Sequence, residues 1–314
     1  MTRSLLSIAQ LSPQDSRALL SRTLQISRDL KKPGVSLSGR TIALLFYENS
    51  TRTRISFESA IRAEGGSALS LAIANSSVQK GETLEDTVRN LSALGASGFV
   101  IRHPVAGAAA HLSATVINAG DGMHEHPTQA LLDSATLLNY WGLDPNTSEL
   151  PLSGRRILVL GDIRHSRVAR SNFELLQRLG AEVLASGPGP LLPGIHERGA
   201  YPGVKWLEFP DPVLCEVDAV MVLRLQTERA RSGFIPSTSE YRHFWGLTEA
   251  RARRLRSDAV ILHPGPANPG IEIDADVMTE PRSRILEQVS MGIAARRAAL
   301  AWAFSSRGPD GGMA

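Results

Sequence analysis

Short apolar, β-prone runs alternate with amphipathic helical patterns along most of this chain, and that alternation leaves few folds open. The run TIALLFY (41–47) is followed by the polar ENSTRT and then by the helical pattern ISFESAIRAEGG. SALSLAIAN (67–75) leads through SSVQKGE into TLEDTVRNLSAL, and GFVIRH (98–103) and TVINAGDG (115–122) precede a long helical pattern over 126–142. A new series opens with RRILVLGD (155–162) and continues through AEVLASG, DAVMVLRLQ and DAVILHPGP. Runs that are apolar throughout suit strands buried on both faces. Strands alternating with helices predict parallel sheets, in which ligands bind beyond the carboxyl ends of the strands.

The 314 residues suit roughly two domains. Residues 144–152 are rich in Pro, Ser, Asn and Thr and read as a boundary. The expected organisation is a first domain over 1–143, a second over 144–284, and a terminal helix over 285–306 returning to the first. The fold class is α/β: two open, mainly parallel-sheet domains joined by long helices. A helical start is expected over 4–31, entered at Ser12-Pro13, and the tail 307–314 is expected to be disordered.

The net charge of +3 does not mark a nucleic-acid protein. No uninterrupted apolar run reaches the roughly 18 residues of a membrane span, and the start lacks a signal-peptide pattern. Cys215 is the single cysteine, which excludes an intrachain disulfide and a cysteine-cluster metal site. These features predict a cytoplasmic protein.

Polar residues collect where the strands end. After 41–47 the chain enters a helix through Ser50-Thr51-Arg52-Thr53-Arg54. A helix N-terminus offers unpaired N–H groups and partial positive charge. The hydroxyls add donors, and Arg52 adds a planar fork able to hold two anion oxygens. Arg54 can instead pair with Glu58. A helix cap beside surface arginines has the same letters, so the run by itself points to an anion without naming it. His126 and Gln129 sit at i and i+3 near another helix start, with Pro127 at an early position, and can face one ligand. Arg224 and Gln226 fall at the end of a strand at i and i+2, on one face. The sequence GDIRHSRVARS (161–171) follows a strand but lacks the glycines of a dinucleotide-binding turn.

FYENSTRTRISFESA (46–60) resembles the carbamoyl-phosphate signature of the aspartate/ornithine carbamoyltransferase family. HPTQ at His126 and RHP at Arg102-His103-Pro104 resemble two further signatures, and the likeness runs in order from about residue 40 to 300. The resemblance implies a carbamoyl-phosphate site of Ser50, Thr51, Arg52, Thr53, Arg102, His126 and Gln129, joined by Ser76, Lys80, Pro264 and Gly265. In it Arg102, His126 and Thr53 surround the carbonyl oxygen, Gln129 holds the amide, and Arg52 neutralises the leaving phosphate. Donors aimed at that oxygen stabilise the charge that develops as an amine attacks. His103 and His124 are expected to have structural or supporting roles.

The loop SSVQKGETLEDT resembles one that reaches the neighbouring subunit's active site in aspartate-type members, through Ser76 and Lys80. The resemblance puts Arg167 on a carboxylate of the second substrate, beside Arg224, Gln226 and Lys80. Residues 230–241 have the composition of a mobile loop able to close over substrate. In HPGPANPG (263–270), the carbonyls of Pro264 and Gly265 are implied to accept from the carbamoyl NH2 and the incoming amine. Ornithine-type members usually carry H-C-L-P here, and this chain has no cysteine at the site. Aspartate-type members with HPGP often continue N-R-G, whereas Pro269 stands in the arginine's place.

The implied reaction is carbamoyl transfer from carbamoyl phosphate to the amino group of L-aspartate, a step of pyrimidine biosynthesis. It gives N-carbamoyl-L-aspartate and phosphate with no metal or organic cofactor. The implied assembly is a homotrimer with shared sites. A regulatory chain or a dihydroorotase-like partner is compatible with it, and no nucleic-acid or membrane partner is expected. The rival readings are carbamoyl transfer to ornithine or an N-acylated ornithine, a non-catalytic anion-binding regulatory module, and a dinucleotide oxidoreductase.

Overall fold

Strands that are apolar on both faces need cover on both faces, and the fold supplies it with helices. The computed structural model describes residues 3–71, 81–226 and 237–305. The expected roles of Ser76 and Lys80, most of the loop 230–241 and the tail 307–314 lie outside the described residues. The described chain divides into two compact units, Met1–Ala135 with Ser290–Ala314, and Thr136–Val289.

The first unit holds a parallel sheet in the order β2-β1-β3-β4. Its strands are β1 (Thr41–Phe46), β2 (Ser67–Ser70), β3 (Ala96–His103) and β4 (Val116–Asp121). Four consecutive residues of β1, from Ile42 to Leu45, are buried, as expected of a strand covered on both sides. Helix α2 (Thr51–Ala63) buries Thr53, Phe57, Ala60 and Ile61, the spacing of one helical face. Phe57 is fully buried, so Phe57→Ala would cost about 3–5 kcal/mol. Helix α3 (Leu84–Ala93) starts at an N-cap, Thr83, that accepts from the Asp86 amide.

The second unit holds a parallel sheet in the order β7-β6-β5-β8-β9. Its strands are β5 (Arg156–Leu160), β6 (Glu182–Ser186), β7 (Lys205–Leu207), β8 (Ala219–Val222) and β9 (Val260–Leu262). Helices α5 (Arg167–Arg178), α6 (Thr238–Trp245), α7 (Glu249–Ala252) and α8 (Ala275–Thr279) belong to the same unit. Leu158, Leu160, Val220, Val222 and Ile261 form the centre of its core. The division between units falls inside two helices, α4 (Pro127–Trp141) and α9 (Ile285–Phe304).

The N-terminus departs from expectation. Helix α1 spans only Pro13–Ser27, entered at Ser12 as foreseen. Ahead of it Leu5 pairs in parallel with Ile117 of β4, its N–H donating to Val116 at 2.8 Å. The outer edge of β4 supplies hydrogen bonds to residues whose pattern reads as helical, and tertiary pairing overrides local propensity. At the other end, Arg297 of α9 pairs with buried Glu64 at 2.7 Å and donates to the carbonyls of Leu30 and Lys32. Among the described residues no helix is long and apolar enough to cross a membrane.

Candidate active site

In each unit the chain leaves two adjacent strands in opposite directions, which opens a crevice beyond their carboxyl ends. In the first unit those strands are β1 and β3, and in the second β5 and β8. The candidate residues sort onto these two places.

In the first unit the turn after β1 carries Glu48 and Ser50, and the last residues of β3 include Arg102. Arg102 donates from Nε to Glu48 at 3.2 Å and from Nη1 to the Ser50 hydroxyl at 3.0 Å. Ser50 is the N-cap of α2, yet its side chain makes no capping bond. Its hydroxyl oxygen accepts from Arg102 instead, so a guanidinium is fixed at the mouth of α2 beside the amides that open the helix. Thr51 and Arg52 are exposed there, and Thr53 is buried. Glu58 accepts from the Ser70 hydroxyl at 2.5 Å, and among the described residues no ion pair joins it to Arg54.

His126 stands just before Pro127, and its carbonyl accepts from the amide of Gln129 at 2.9 Å. The turn that presents it is held by Asp121. One oxygen of this carboxylate accepts from Asn118 Nδ2 and Glu125 N, both at 2.9 Å. The other accepts from Gly107 N at 2.6 Å and meets His124 Nδ1 at 3.0 Å. His103 Nδ1 accepts from Val105 N at 3.0 Å, and burial lowers its pKa below the ordinary imidazole value. Gln129 donates from Nε2 to Asp133, one turn further along α4, at 2.9 Å.

Arg296 of α9 lies in the same unit. It donates to the Ser56 hydroxyl at 2.9 Å and stacks on the Phe57 ring at 5.2 Å. Burial first, and then the like charge of Arg102, lowers its pKa to about 10, with Asp133 opposing and Arg52 adding to the repulsion. It therefore stays cationic at neutral pH. Arg52, Arg102 and Arg296 repel one another, and a bound anion would relieve that repulsion.

In the second unit Asp162 follows β5 and is almost fully buried. Its Oδ1 meets His165 Nδ1 at 2.8 Å and accepts from the His165 amide at 3.3 Å. Burial raises the Asp162 carboxyl above its ordinary value, and the attraction of His165 offsets this only in part. Arg167 is the first residue of α5, whose N-cap Ser166 accepts from Ala169 N at 3.1 Å. Arg164 is drawn to Glu197 at 3.7 Å, and Arg170 lies over the Tyr201 ring at 5.9 Å.

Strand β8 ends at Val222, so Arg224 and Gln226 lie in the segment beyond it. Leu223 and Leu225 are buried while Arg224 and Gln226 are half-buried, so the expected i, i+2 alternation continues past the strand. These positions are fixed by other bonds: Gln226 Nε2 donates to the His165 carbonyl at 3.1 Å, and the Leu225 carbonyl accepts from Asn268 Nδ2 at 3.2 Å. Asn268 also donates from Nδ2 to Glu272 Oε2 at 3.1 Å and from its amide to Glu272 Oε1. His263 Nε2 lies 3.4 Å from Glu272 Oε1, and His263 Nδ1 accepts from Gly265 N at 2.8 Å. Fully buried Glu272 thus ties the turn of Pro264 and Gly265 to the segment of Arg224 and Gln226. Gly265 has φ 58°, a left-handed conformation that favours glycine.

Sequence reasoning missed the carboxylates Glu48, Asp121, Asp133, Asp162 and Glu272, and the cation Arg296. Asp133 had a signal, since it lies four residues after Gln129 on one helical face. Arg296 had none, since it lies 240 positions from Ser56.

The chain belongs to the aspartate/ornithine carbamoyltransferase family. Residues 3–139 match the family's carbamoyl-P binding domain, and residues 153–303 its Asp/Orn binding domain. The aspartate carbamoyltransferase catalytic subunit of Gemmatimonas aurantiaca is 46% identical over 306 residues, covering 95% of this chain and 92% of the relative. That of Myxococcus xanthus is 49% identical over 269 residues, covering 84% and 86%. Among solved structures, aspartate transcarbamoylase from Trypanosoma cruzi in complex with carbamoyl phosphate is similar with a TM-score of 0.83 at 29% identity, covering 96% of this chain and 95% of that one. The ornithine carbamoyltransferase of Thermus thermophilus shares the fold, with a TM-score of 0.82 at 24% identity, covering 97% and 100%.

Proposed function

We propose that this chain transfers the carbamoyl group of carbamoyl phosphate to the α-amino group of L-aspartate. The observation that carries the reading is the Arg102–Ser50 bond at the mouth of α2, which fixes a cation where helix amides already favour a phosphate. The acceptor follows from the relatives, aspartate carbamoyltransferase catalytic subunits at 46% and 49% identity.

The amine attacks the carbamoyl carbon, a tetrahedral intermediate forms, and phosphate leaves. Arg52, with Ser50 and Thr51, takes the phosphate, and Arg102, His126 and Thr53 stabilise the oxyanion. Gln129 and the carbonyls of Pro264 and Gly265 hold the NH2 groups. Arg167, Arg224, Gln226 and Lys80 orient the dicarboxylate. Positioning and electrostatics supply the rate, and no protein nucleophile is required.

Assay of the purified protein with carbamoyl phosphate and either aspartate or ornithine tests the reading. Aspartate-dependent release of phosphate is expected; turnover with ornithine and none with aspartate overturns the acceptor. The same reading makes the protein a cytoplasmic enzyme of pyrimidine synthesis and a homotrimer in which Ser76 and Lys80 serve a neighbour's site. Mixing inactive Lys80→Ala and Arg52→Ala chains should restore part of the activity. Confirmed hybrids that stay inactive refute the sharing.

A further inference from the structure

Gln129 is shaped so that either end of its amide could face a ligand, and the two ends have opposite chemistry. The NH2 end donates and the oxygen end accepts. The neighbour that decides between them is Asp133, fully buried and one turn along α4, whose Oδ1 lies 2.9 Å from Gln129 Nε2. A carboxylate can only accept. It therefore holds the NH2 of Gln129 on its own side and turns Oε1 to the other. The negative charge of Asp133 acts on buried Arg296, opposing the larger lowering of its pKa by burial. Arg296 is itself anchored to Ser56, in the first turns of α2.

We propose that Asp133 is a positioning residue that locks the amide of Gln129 with its oxygen toward the carbamoyl group, so that the site selects a carbamoyl phosphate over an acyl phosphate. This rests on the proposed function, in which Gln129 meets the carbamoyl NH2. An NH2 on the ligand donates to the waiting oxygen. A methyl in its place leaves that oxygen without a donor, and a buried acceptor without a donor is penalised. An amide turned the other way would set donor against donor and lose the selection.

The test is calorimetric binding of carbamoyl phosphate, acetyl phosphate and inorganic phosphate to the whole protein. It compares the parent with Asp133→Asn, Gln129→Ala and the double variant. Asparagine keeps the shape of aspartate but can donate to Gln129 Oε1, which frees the amide to turn. Asp133→Asn should weaken carbamoyl phosphate about tenfold. Acetyl phosphate and phosphate should move by less than about twofold, and the substitution should add nothing in the Gln129→Ala background. Equal weakening of all three ligands, or a full effect in that background, overturns the proposal and makes Asp133 merely structural. If Asp133→Asn does not fold, Gln129→Met should lower the preference for carbamoyl over acetyl phosphate to what the carbonyls of Pro264 and Gly265 supply, and an unchanged preference overturns the proposal. Binding is read apart from transfer, so a parent that prefers carbamoyl phosphate yet transfers nothing to aspartate fails the proposed function and leaves this inference standing. A parent with no such preference fails the inference alone.

Discussion

In the first unit the guanidinium at the strand end is itself held: Arg102 is ion-paired to Glu48 and bonded to the cap of α2. In the second unit the buried carboxylates Asp162 and Glu272 do the holding, and they grip the frame around Arg224 and Gln226. Asp162 acts through His165, whose carbonyl takes Gln226, and Glu272 acts through Asn268, which takes the Leu225 carbonyl. Both units are parallel sheets with polar residues at a switch point, so topology chooses the place and leaves the means open. A cation fixed directly gives a stiff anion site. In the second unit it is the backbone around the cation that is pinned, through the Gln226–His165 and Asn268–Leu225 bonds.

The contrast can be broken at its strongest point first. On the proposed mechanism Arg102→Ala removes an oxyanion donor, and it leaves Glu48 without this partner, so kcat should fall by about 10²–10³-fold in steady-state assays. A tenfold loss or less would mean that Arg102 is not the fixed cation of the pair. Glu272→Gln comes next. It turns an NH2 toward donors on Asn268 or His263 and should cost about 2–3 kcal/mol in urea unfolding. The KM for aspartate should rise while that for carbamoyl phosphate holds; a rise in both would erase the distinction between the units.

The pH dependence of stability sharpens the same comparison. Burial raises the Asp162 carboxyl above its ordinary 3.8, so the folded chain holds this proton more tightly than the unfolded one. The stability drawn from that proton is present in full below 3.8 and is lost as pH rises through the higher folded value. Asp162→Asn should remove this component, and an unchanged profile from acid denaturation would refute it. The smallest effect belongs to Tyr241, fully buried, with a hydroxyl that has no hydrogen-bond partner among the described residues. Burial, with Glu272 and Asp162 nearby, pushes its phenol well up. Tyr241→Phe should leave stability unchanged or raise it by up to about 1 kcal/mol. A loss beyond that would reveal a bond from this hydroxyl.

What was legible in the sequence was local. The run 50–54 joins a strand end to a helix start in consecutive residues, so its chemistry and its place could be read together. His126 with Gln129, and Ser12 with Pro13, were readable for the same reason. Pairings made by tertiary contact were not. Leu5, Leu6 and Ile8 carry a helical pattern, but β4 has an open edge and takes Leu5 as a pairing partner. Arg224 and Gln226 read as a strand end, whereas β8 stops at Val222 and the segment beyond is held by the Gln226 side chain on the His165 carbonyl and by the Asn268 side chain on the Leu225 carbonyl. Pro269 drew notice as a missing arginine, yet the connection that matters in the structure runs through its neighbours Asn268 and Glu272. A buried carboxylate has no mark in a sequence that separates it from a surface one.

The pairing of Arg297 with Glu64 has a consequence for the order in which the protein matures. Glu64 is a buried anion whose counterion, Arg297, lies 233 positions later, on the helix that closes the first unit. A ribosome releases Thr136–Val289 as an unbroken stretch before the segment from Ser290 emerges. Unit two can therefore condense while its elder sibling still waits with a charge it cannot neutralise. The half that is synthesised first is the half that finishes last, and a chain stalled before Arg297 should present a complete second unit beside an unsettled first one.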